Sequence, residues 1–313
     1  MNTRRRRRAC IAPWCWAFQV GIELTALVVY LLKGHYFLPP LAVRYLLGIS
    51  AVVLSVVGVT QAVRVPPVKE IEVELAGLPP EFEGYRLIQL TDLHLSKLFA
   101  RRWAQEVVAR ANAQRPDLIV ITGDLMDGTL EARRDDVEPL ADLRADDGVL
   151  VIPGNHEYYY GYEGWMTKYQ QLGMTRLCNS HVSITRGGSS LVVAGITDTA
   201  SDRFSLPSPD LGRALSGAPQ DAPVILLDHR PNTAPQAAQA GVALQLSGHT
   251  HGGMVKGLDR LVARFNNGFV SGFYQLGNMQ LYVNNGTGMW NGFALRIGVP
   301  SELTVITLRG AGA

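Results

Sequence analysis

Five times in this chain a short apolar run is closed by a polar segment made of Asp, Asn, His and Gly. The segments are Asp92-Leu93-His94, Gly123-Asp124, Gly154-Asn155-His156-Glu157, Asp228-His229-Arg230-Pro231 and Gly248-His249-Thr250-His251-Gly252-Gly253. The runs before them (86–90, 118–121, 149–152, 224–227 and 244–246) are rich in Val, Ile and Leu, the pattern of strands buried on both faces. Such strands belong to sheets covered by helices, and ligands of open α/β sheets gather beyond the strand ends. Residues 101–114 carry Trp103, Val107, Val108 and Ala111 on one helical face, and residues 131–144 also read as a helix. Strands predominate after residue 175: 182–185, 191–194, 281–284 and 303–308. Ile71, Val73 and Leu75 alternate with glutamates, a half-buried strand. Residues 199–209 read as a surface loop. Helices and strands alternate first and strands follow in series, so the expected class is α/β with layered sheets.

The first 65 residues have another character. Arg4 to Arg8 precede an apolar run over 14–32, and residues 45–63 hold no charge. A membrane helix needs about 20 apolar residues, which the second run meets. The first contains Gln19 and Glu23, and an acid in mid-membrane costs roughly 2.5–3.5 kcal/mol. Lys33-Gly34-His35 and Pro39-Pro40 read as a turn between them. The expectation is a two-helix membrane anchor over 1–65, followed by a catalytic domain over 66–313. With both runs spanning, the arginines hold the N-terminus and the domain in the cytoplasm. With only the second spanning, the domain faces outward. A cleaved signal peptide, a twin-arginine export signal and a buried soluble hairpin are the competing readings.

Charge excludes one class of partner. Residues 1–64 hold eight of the 29 basic residues and one of the 27 acids, which leaves 21 against 26, or −5, in the rest. A nucleic-acid-binding domain carries the opposite sign, so no nucleic-acid partner is expected. Three cysteines form no disulfide framework.

Imidazole mixed with carboxylate suits zinc, iron or manganese. Asp92 and His94, two residues apart, would share one side of an extended strand end, and His249 and His251 likewise if that loop is extended. The order D-x-H, GD, GNHE, a lone His and GHTH resembles the calcineurin-like metallophosphoesterase superfamily over residues 84–309. Gly286-x-Gly288 and the segment 300–305 are similar to its membrane-associated bacterial branch. The resemblance implies a two-sheet β-sandwich flanked by helices, preceded here by N-terminal transmembrane helices. It implies two divalent metal ions (Mn, Fe or Zn): Asp92, His94 and His251 on one, Asn155, His229 and His249 on the other, with Asp124 bridging. It implies that His156 is the catalytic acid; Glu157 either orients it or makes a structural hydrogen bond.

Other residues read as structural. Asp127 is expected to hold the Gly128 turn, Asp198 and Asp228 to end strands, and His35 and His181 to carry no chemistry. Tyr158, Tyr159, Tyr160, Tyr162 and Trp165 fit a substrate wall or helix packing equally. Arg230 fits phosphate binding or a surface role. The protein Ser/Thr phosphatases of the superfamily have arginines where this chain has Pro153 and Gly128, which argues against a phosphoprotein substrate. The membrane runs point to a phosphoester substrate at the bilayer, a phosphodiester or pyrophosphate in a lipid or envelope precursor. The alternatives are a broad phosphodiesterase for soluble or wall-polymer substrates, and a metal-dependent scaffold without turnover.

Overall fold

The structure, a computed structural model, describes residues 39–310 together with residues 26, 30–32 and 34. The expected first membrane run and the arginine cluster fall largely or wholly outside the described residues. The chain forms two compact units. One is Met1–Arg64 with Gly292–Ile297, and the other is Val65–Asn291 with Gly298–Ala313.

In the first unit, helix α1 (Leu41–Val63) is the one described helix long and apolar enough to cross a membrane. Leu46, Ile49, Val53 and Val56 are exposed, while Ala51, Ser55, Gly58 and Ala62 are buried. The small residues recur every three or four positions, so one face admits close neighbours. That neighbour is the 292–297 segment. Arg296 donates its backbone N–H to the Gly58 carbonyl at 3.0 Å. A Cβ on Gly58 would stand 2.6 Å from Leu295 Cδ1.

The second unit contains β1 (Val68–Leu75), β2 (Arg86–Leu90), α2 (Arg101–Asn112), β3 (Leu118–Thr122), α3 (Leu130–Val137), β4 (Val149–Ile152), α4 (Asn155–Tyr159), α5 (Tyr162–Gln171), β5 (Thr175–Arg176), β6 (Ser180–Arg186) and β7 (Ser189–Gly195). There follow α6 (Leu211–Leu215), β8 (Val224–Leu227), α7 (Ala234–Gln239), β9 (Leu244–Ser247), α8 (Asp259–Arg264), β10 (Gly272–Leu276), β11 (Met279–Val283) and β12 (Leu303–Gly310). Two six-stranded mixed sheets result, ordered β1-β12-β2-β3-β4-β5 and β10-β11-β9-β8-β7-β6. In the first, β2 to β5 run parallel; in the second, β7, β8, β9 and β11 do. Antiparallel β10 and β6 close the edges of the second sheet.

The core follows the two-residue period of strands. Leu87, Val120, Leu150 and Ile152 meet Val193, Ile225, Leu227 and Leu246 between the sheets. Ala194, Leu226, Leu281 and Val283 face the other way and pack on Ala214, Ala234 and Ala237 of α6 and α7. This is the expected two-sheet sandwich flanked by helices.

Two local expectations are corrected. The helix expected over 131–144 stops as α-helix at Val137 and continues as 3-10 helix over Glu138–Asp142. Pro139 has no N–H to donate and its ring crowds the preceding turn. The loop expected over 199–209 begins with a 3-10 turn, Thr199–Phe204, because the Asp198 side chain caps Ala200 N–H at 2.7 Å.

Candidate metal centre

Each of the five motifs begins within two residues of a strand end, all at one edge of the sandwich: after β2, β3, β4, β8 and β9. The segments are not extended there. Asp92, His94, Asp124, His249 and His251 all have positive φ, between 44° and 68°. The expectation that Asp92 and His94 sit on an extended strand end is therefore wrong, and the condition set for His249 and His251, an extended loop, is not met. These five side chains converge because the backbone turns left-handed at each, a conformation that costs a non-glycine residue about 1–3 kcal/mol and clusters at functional sites.

Neighbouring glycines make the turns possible. A Cβ on Gly154 would overlap the Asp124 carboxylate, and one on Gly248 the carboxylate of Asp92. Gly288, in the Gly286-x-Gly288 segment, donates to the Asp92 carbonyl at 3.1 Å, and a Cβ there would overlap the Leu93 carbonyl. That segment props the D-x-H turn.

The carboxylates divide their oxygens. Asp92 Oδ2 accepts from Thr91 Oγ1 at 2.8 Å and His249 N–H at 3.0 Å. Its Oδ1 is buried, accepts no hydrogen bond and faces His251 Nε2 at 3.5 Å and His94 Nε2 at 3.7 Å. Asp124 Oδ1 accepts from His156 N–H at 2.8 Å. Its Oδ2 lies 3.3 Å from His229 Nε2, 3.7 Å from His94 Nε2 and 3.9 Å from His156 Nε2. One oxygen of Asp124 thus looks at both halves of the cluster.

The imidazoles are oriented from behind. His229 Nδ1 lies 2.8 Å from the Thr122 carbonyl, which can only accept, so Nδ1 carries a proton. His229 Nε2 then faces two acceptors, Asp124 Oδ2 and, at 3.2 Å, Asn155 Oδ1. A nitrogen so placed needs a cation between it and them, a proton or a metal ion. His94 Nδ1 lies 2.9 Å from Asp127 Oδ1, which turns its Nε2 to within 3.2 Å of His251 Nε2. Asp92-His94-His251 and Asp124-His229-His249 each bring their donor atoms within 4.8 Å of one another, as metal-binding groups must.

Burial alone would raise the Asp92 and Asp124 carboxyls, but the facing histidines outweigh it and hold both below the ordinary carboxylate range. Burial would lower His94 and His229; their carboxylate partners, Asp127 and Asp92 for one and Asp124 for the other, raise each to about 10. For His249, burial followed by the neighbouring His229 and Arg230 charges pushes the imidazole well down.

Three expectations about surrounding residues change. Asp127 does more than hold a turn: Oδ1 bonds His94 Nδ1 and, at 2.6 Å, His156 Nδ1, while Oδ2 accepts from Asn291 N–H at 3.3 Å. The signal was in the sequence, an acid three residues past Asp124 behind apolar Leu125 and Met126. Glu157 does not orient His156. Fully buried, it accepts from the N–H groups of Asp124 (3.0 Å), Leu125 (2.8 Å) and Gly154 (2.7 Å) and from Tyr169 OH (3.0 Å). It pins the GD loop to the GNHE loop, and burial followed by the Asp124 charge raises its pKa. Asp198 braces Arg230, accepting from Nε at 2.8 Å, and sets Arg230 Nη1 3.1 Å from His249 Nε2.

The remaining residues sort themselves. Asp228 accepts from the Thr233 hydroxyl and from Arg230 N–H, and burial raises it to about 7. His181 bonds the Ala214 carbonyl at 2.7 Å. His35 lies outside the described residues. Trp165 and Tyr169 are core, and Tyr158 stacks on Tyr162 at 4.6 Å. Tyr159 and Tyr160 are exposed, their rings 5.5 and 5.9 Å from that of His156.

A sandwich with five metal-type motifs at one edge defines a class, and sequence comparison agrees. Residues 85–253 match the family model described as calcineurin-like phosphoesterase. The chain belongs to that family. It is 35% identical over 272 residues to the zebrafish (Danio rerio) transmembrane protein with metallophosphoesterase domain, covering 84% of this chain and 62% of that protein. It thus spans less than two thirds of that relative. An uncharacterized metallophosphoesterase of Campylobacter jejuni is 33% identical over 276 residues (86% of this chain, 71% of that one). One from Bacillus subtilis is 33% identical over 240 residues (74% and 82%).

Proposed function

We propose that the chain is a dinuclear-metal phosphoesterase acting on a phosphodiester or pyrophosphate in a lipid or envelope precursor, with α1 as part of its membrane anchor. The observation that carries the catalytic reading is the meeting of imidazole nitrogens and carboxylate oxygens around Asp124 Oδ2, where His229 Nε2 faces two acceptors and a cation has to lie between them. The buried, unbonded Asp92 Oδ1 fits the same demand. Asp92, His94 and His251 would hold one ion, Asn155, His229 and His249 the other, and Asp124 both. When bound, two divalent ions acidify a water and neutralise charge on the phosphoryl oxygens.

The chain supplies the rest. Asp127 accepts from His156 Nδ1 and so turns Nε2 towards the departing oxygen; as the imidazolium, with a proton on each nitrogen, the ring can give its Nε2 proton to that oxygen. Arg230, braced by buried Asp198, offers its free donors to a phosphoryl oxygen beside His249. With both apolar runs spanning, the arginine cluster keeps the catalytic unit in the cytoplasm; a reporter fused at Ala313 tests the side.

The test of function is hydrolysis of a chromogenic phosphodiester with Mn²⁺, compared with chelator and with Asp124→Ala. Metal-dependent turnover lost in the variant is expected. No metal-dependent turnover on diester, monoester and pyrophosphate substrates would overturn the enzymatic reading.

A further inference from the structure

Apolar side chains left in water are scattered over an ordinary surface, and a cluster of them marks an interaction site. In the second unit they are clustered. Of the eight large exposed apolar or aromatic side chains among its described residues, all but Phe273 lie around the metal centre. Tyr159 and Tyr160 flank His156, and the Phe204 ring is 6.2 Å from that of Tyr159. Trp290 precedes Asn291, whose N–H bonds Asp127. The other three are carried by α8 and its ends.

Helix α8 follows the His251-Gly252-Gly253 turn and is packed on it, with Gly253 so close that a Cβ would stand 2.6 Å from Asp259 Cα. Its far end is tied to the loop after Arg230, because Asn232 donates to the Phe265 carbonyl at 3.0 Å. None of its residues is buried. Leu258, Leu261 and Phe265 recur at helical spacing and point to solvent, Leu261 53% and Phe265 74% exposed. A six-residue helix exposing that much apolar surface gains nothing from folding that way in water.

Lys256, Arg260 and Arg264 interleave with these side chains, are exposed, and form no ion pair among the described residues. The one acid of the segment, Asp259, accepts from Gly257 N–H at 2.7 Å. The segment is therefore +2 in a region that is −5 as a whole. Apolar side chains flanked by lysine and arginine match an anionic lipid surface, where the cations meet headgroups and the apolar groups enter the acyl boundary.

We propose that this rim, led by α8, docks on an anionic bilayer and holds the mouth of the metal centre against it, so that the phosphoester cleaved is one embedded in that bilayer. The docking stands on the rim alone; the cleavage of a lipid phosphoester rests on the phosphoesterase reading above.

The test uses the full chain reconstituted in phosphatidylcholine vesicles with and without a quarter of phosphatidylglycerol. Cys10, Cys15 and Cys178 are replaced by Ser, and a bimane probe is attached at Phe265→Cys or, as a control at the opposite end of the strands, at Asp221→Cys. With phosphatidylglycerol, the probe at 265 is expected to be quenched by lipid-borne nitroxide and shielded from iodide, while the probe at 221 is not. Each surface cation contributes about fivefold to partitioning, so Lys256→Ser/Arg260→Ser/Arg264→Ser should lower the docked-to-free ratio roughly a hundredfold. That variant should still hydrolyse a soluble chromogenic diester at the unaltered rate. A probe at 265 open to iodide in both vesicles overturns the proposal. So does one shielded from iodide but not quenched by nitroxide, which would mean that a second copy or another protein covers the rim. Failure of all hydrolysis by the unaltered chain, with the quenching pattern as expected, would instead strike the phosphoesterase reading.

Discussion

Asp127→Asn is the substitution that best separates the proposed roles, because a single oxygen of Asp127 holds two imidazoles. It lies 2.9 Å from His94 Nδ1 and 2.6 Å from His156 Nδ1. The amide keeps the shape and removes the charge that fixes both rings. Through His94 the loss reaches the metals: outer partners of metal-bound histidines are worth about 10–100-fold in affinity. Through His156 it reaches the leaving group, where a positioned acid contributes about 10²–10⁴-fold. His156→Ala should remove only the second effect. The assay measures kcat against Mn²⁺ concentration on two diesters, one releasing nitrophenolate and one releasing an alkoxide. At saturating Mn²⁺, Asp127→Asn and His156→Ala should lose similar amounts on the alkoxide substrate and within about tenfold of nothing on nitrophenolate, which leaves without a proton. At limiting Mn²⁺ only Asp127→Asn should lose the further 10–100-fold. Full rescue of Asp127→Asn by Mn²⁺ on the alkoxide substrate would falsify the acid assignment of His156 as oriented by Asp127. Loss of metal from His156→Ala would do the same from the other side.

Three further outcomes are expected. Arg230→Met should cut kcat/KM roughly 10–100-fold, the worth of a hydrogen bond to a charged group, with metal content unchanged by elemental analysis; unchanged kinetics would remove Arg230 from the site. Gly154→Ala should cost about 1–3 kcal/mol by overpacking and empty the site of metal, since its methyl would overlap the Asp124 carboxylate; a fully loaded, equally stable variant would contradict the packing. Metal loading should release protons, because in the metal-free chain His94 and His229 are raised to about 10 and hold protons at pH 7. Their contribution to metal-free stability is full below their unfolded pKa near 6.5 and is lost as pH rises through about 10. Calorimetry in buffers of different ionisation enthalpy reads the release, and its absence at pH 7 would refute the protonation account.

The sandwich and the members of the candidate centre could be read from the chain because both depend on periodicity and residue type. The apolar runs 118–121 and 224–227 announce buried strands, and the polar segment after each sits where a parallel strand ends. What could not be read depends on three-dimensional approach. Asp127 and Glu157 are two acids that each follow a metal-type motif, yet one bonds imidazoles and the other takes N–H groups from two loops and a hydroxyl from α5, and no spacing rule distinguishes them. The reading of Glu157 as orienting His156 failed for that reason. The contact of 292–297 with α1 joins residues more than 200 apart through a glycine, for which a sequence has no periodic signal.

The left-handed turns were equally hidden, since Asp and His give no hint of positive φ in the way glycine does. Their hydrogen bonds explain how they persist. Beyond the ends of β2 and β3 the two chains stay paired: Asp92 N–H bonds the Gly123 carbonyl at 3.0 Å, His94 N–H that of Asp124 at 3.0 Å, and Leu95 N–H that of Leu125 at 2.9 Å. Asp127 N–H returns to the Leu95 carbonyl at 3.0 Å, and Thr287 and Gly288 close the other side on Thr91 and Asp92. Asp92, His94 and Asp124 are therefore held by backbone bonds of their own, and His249 by the bond of its N–H to the Asp92 carboxylate.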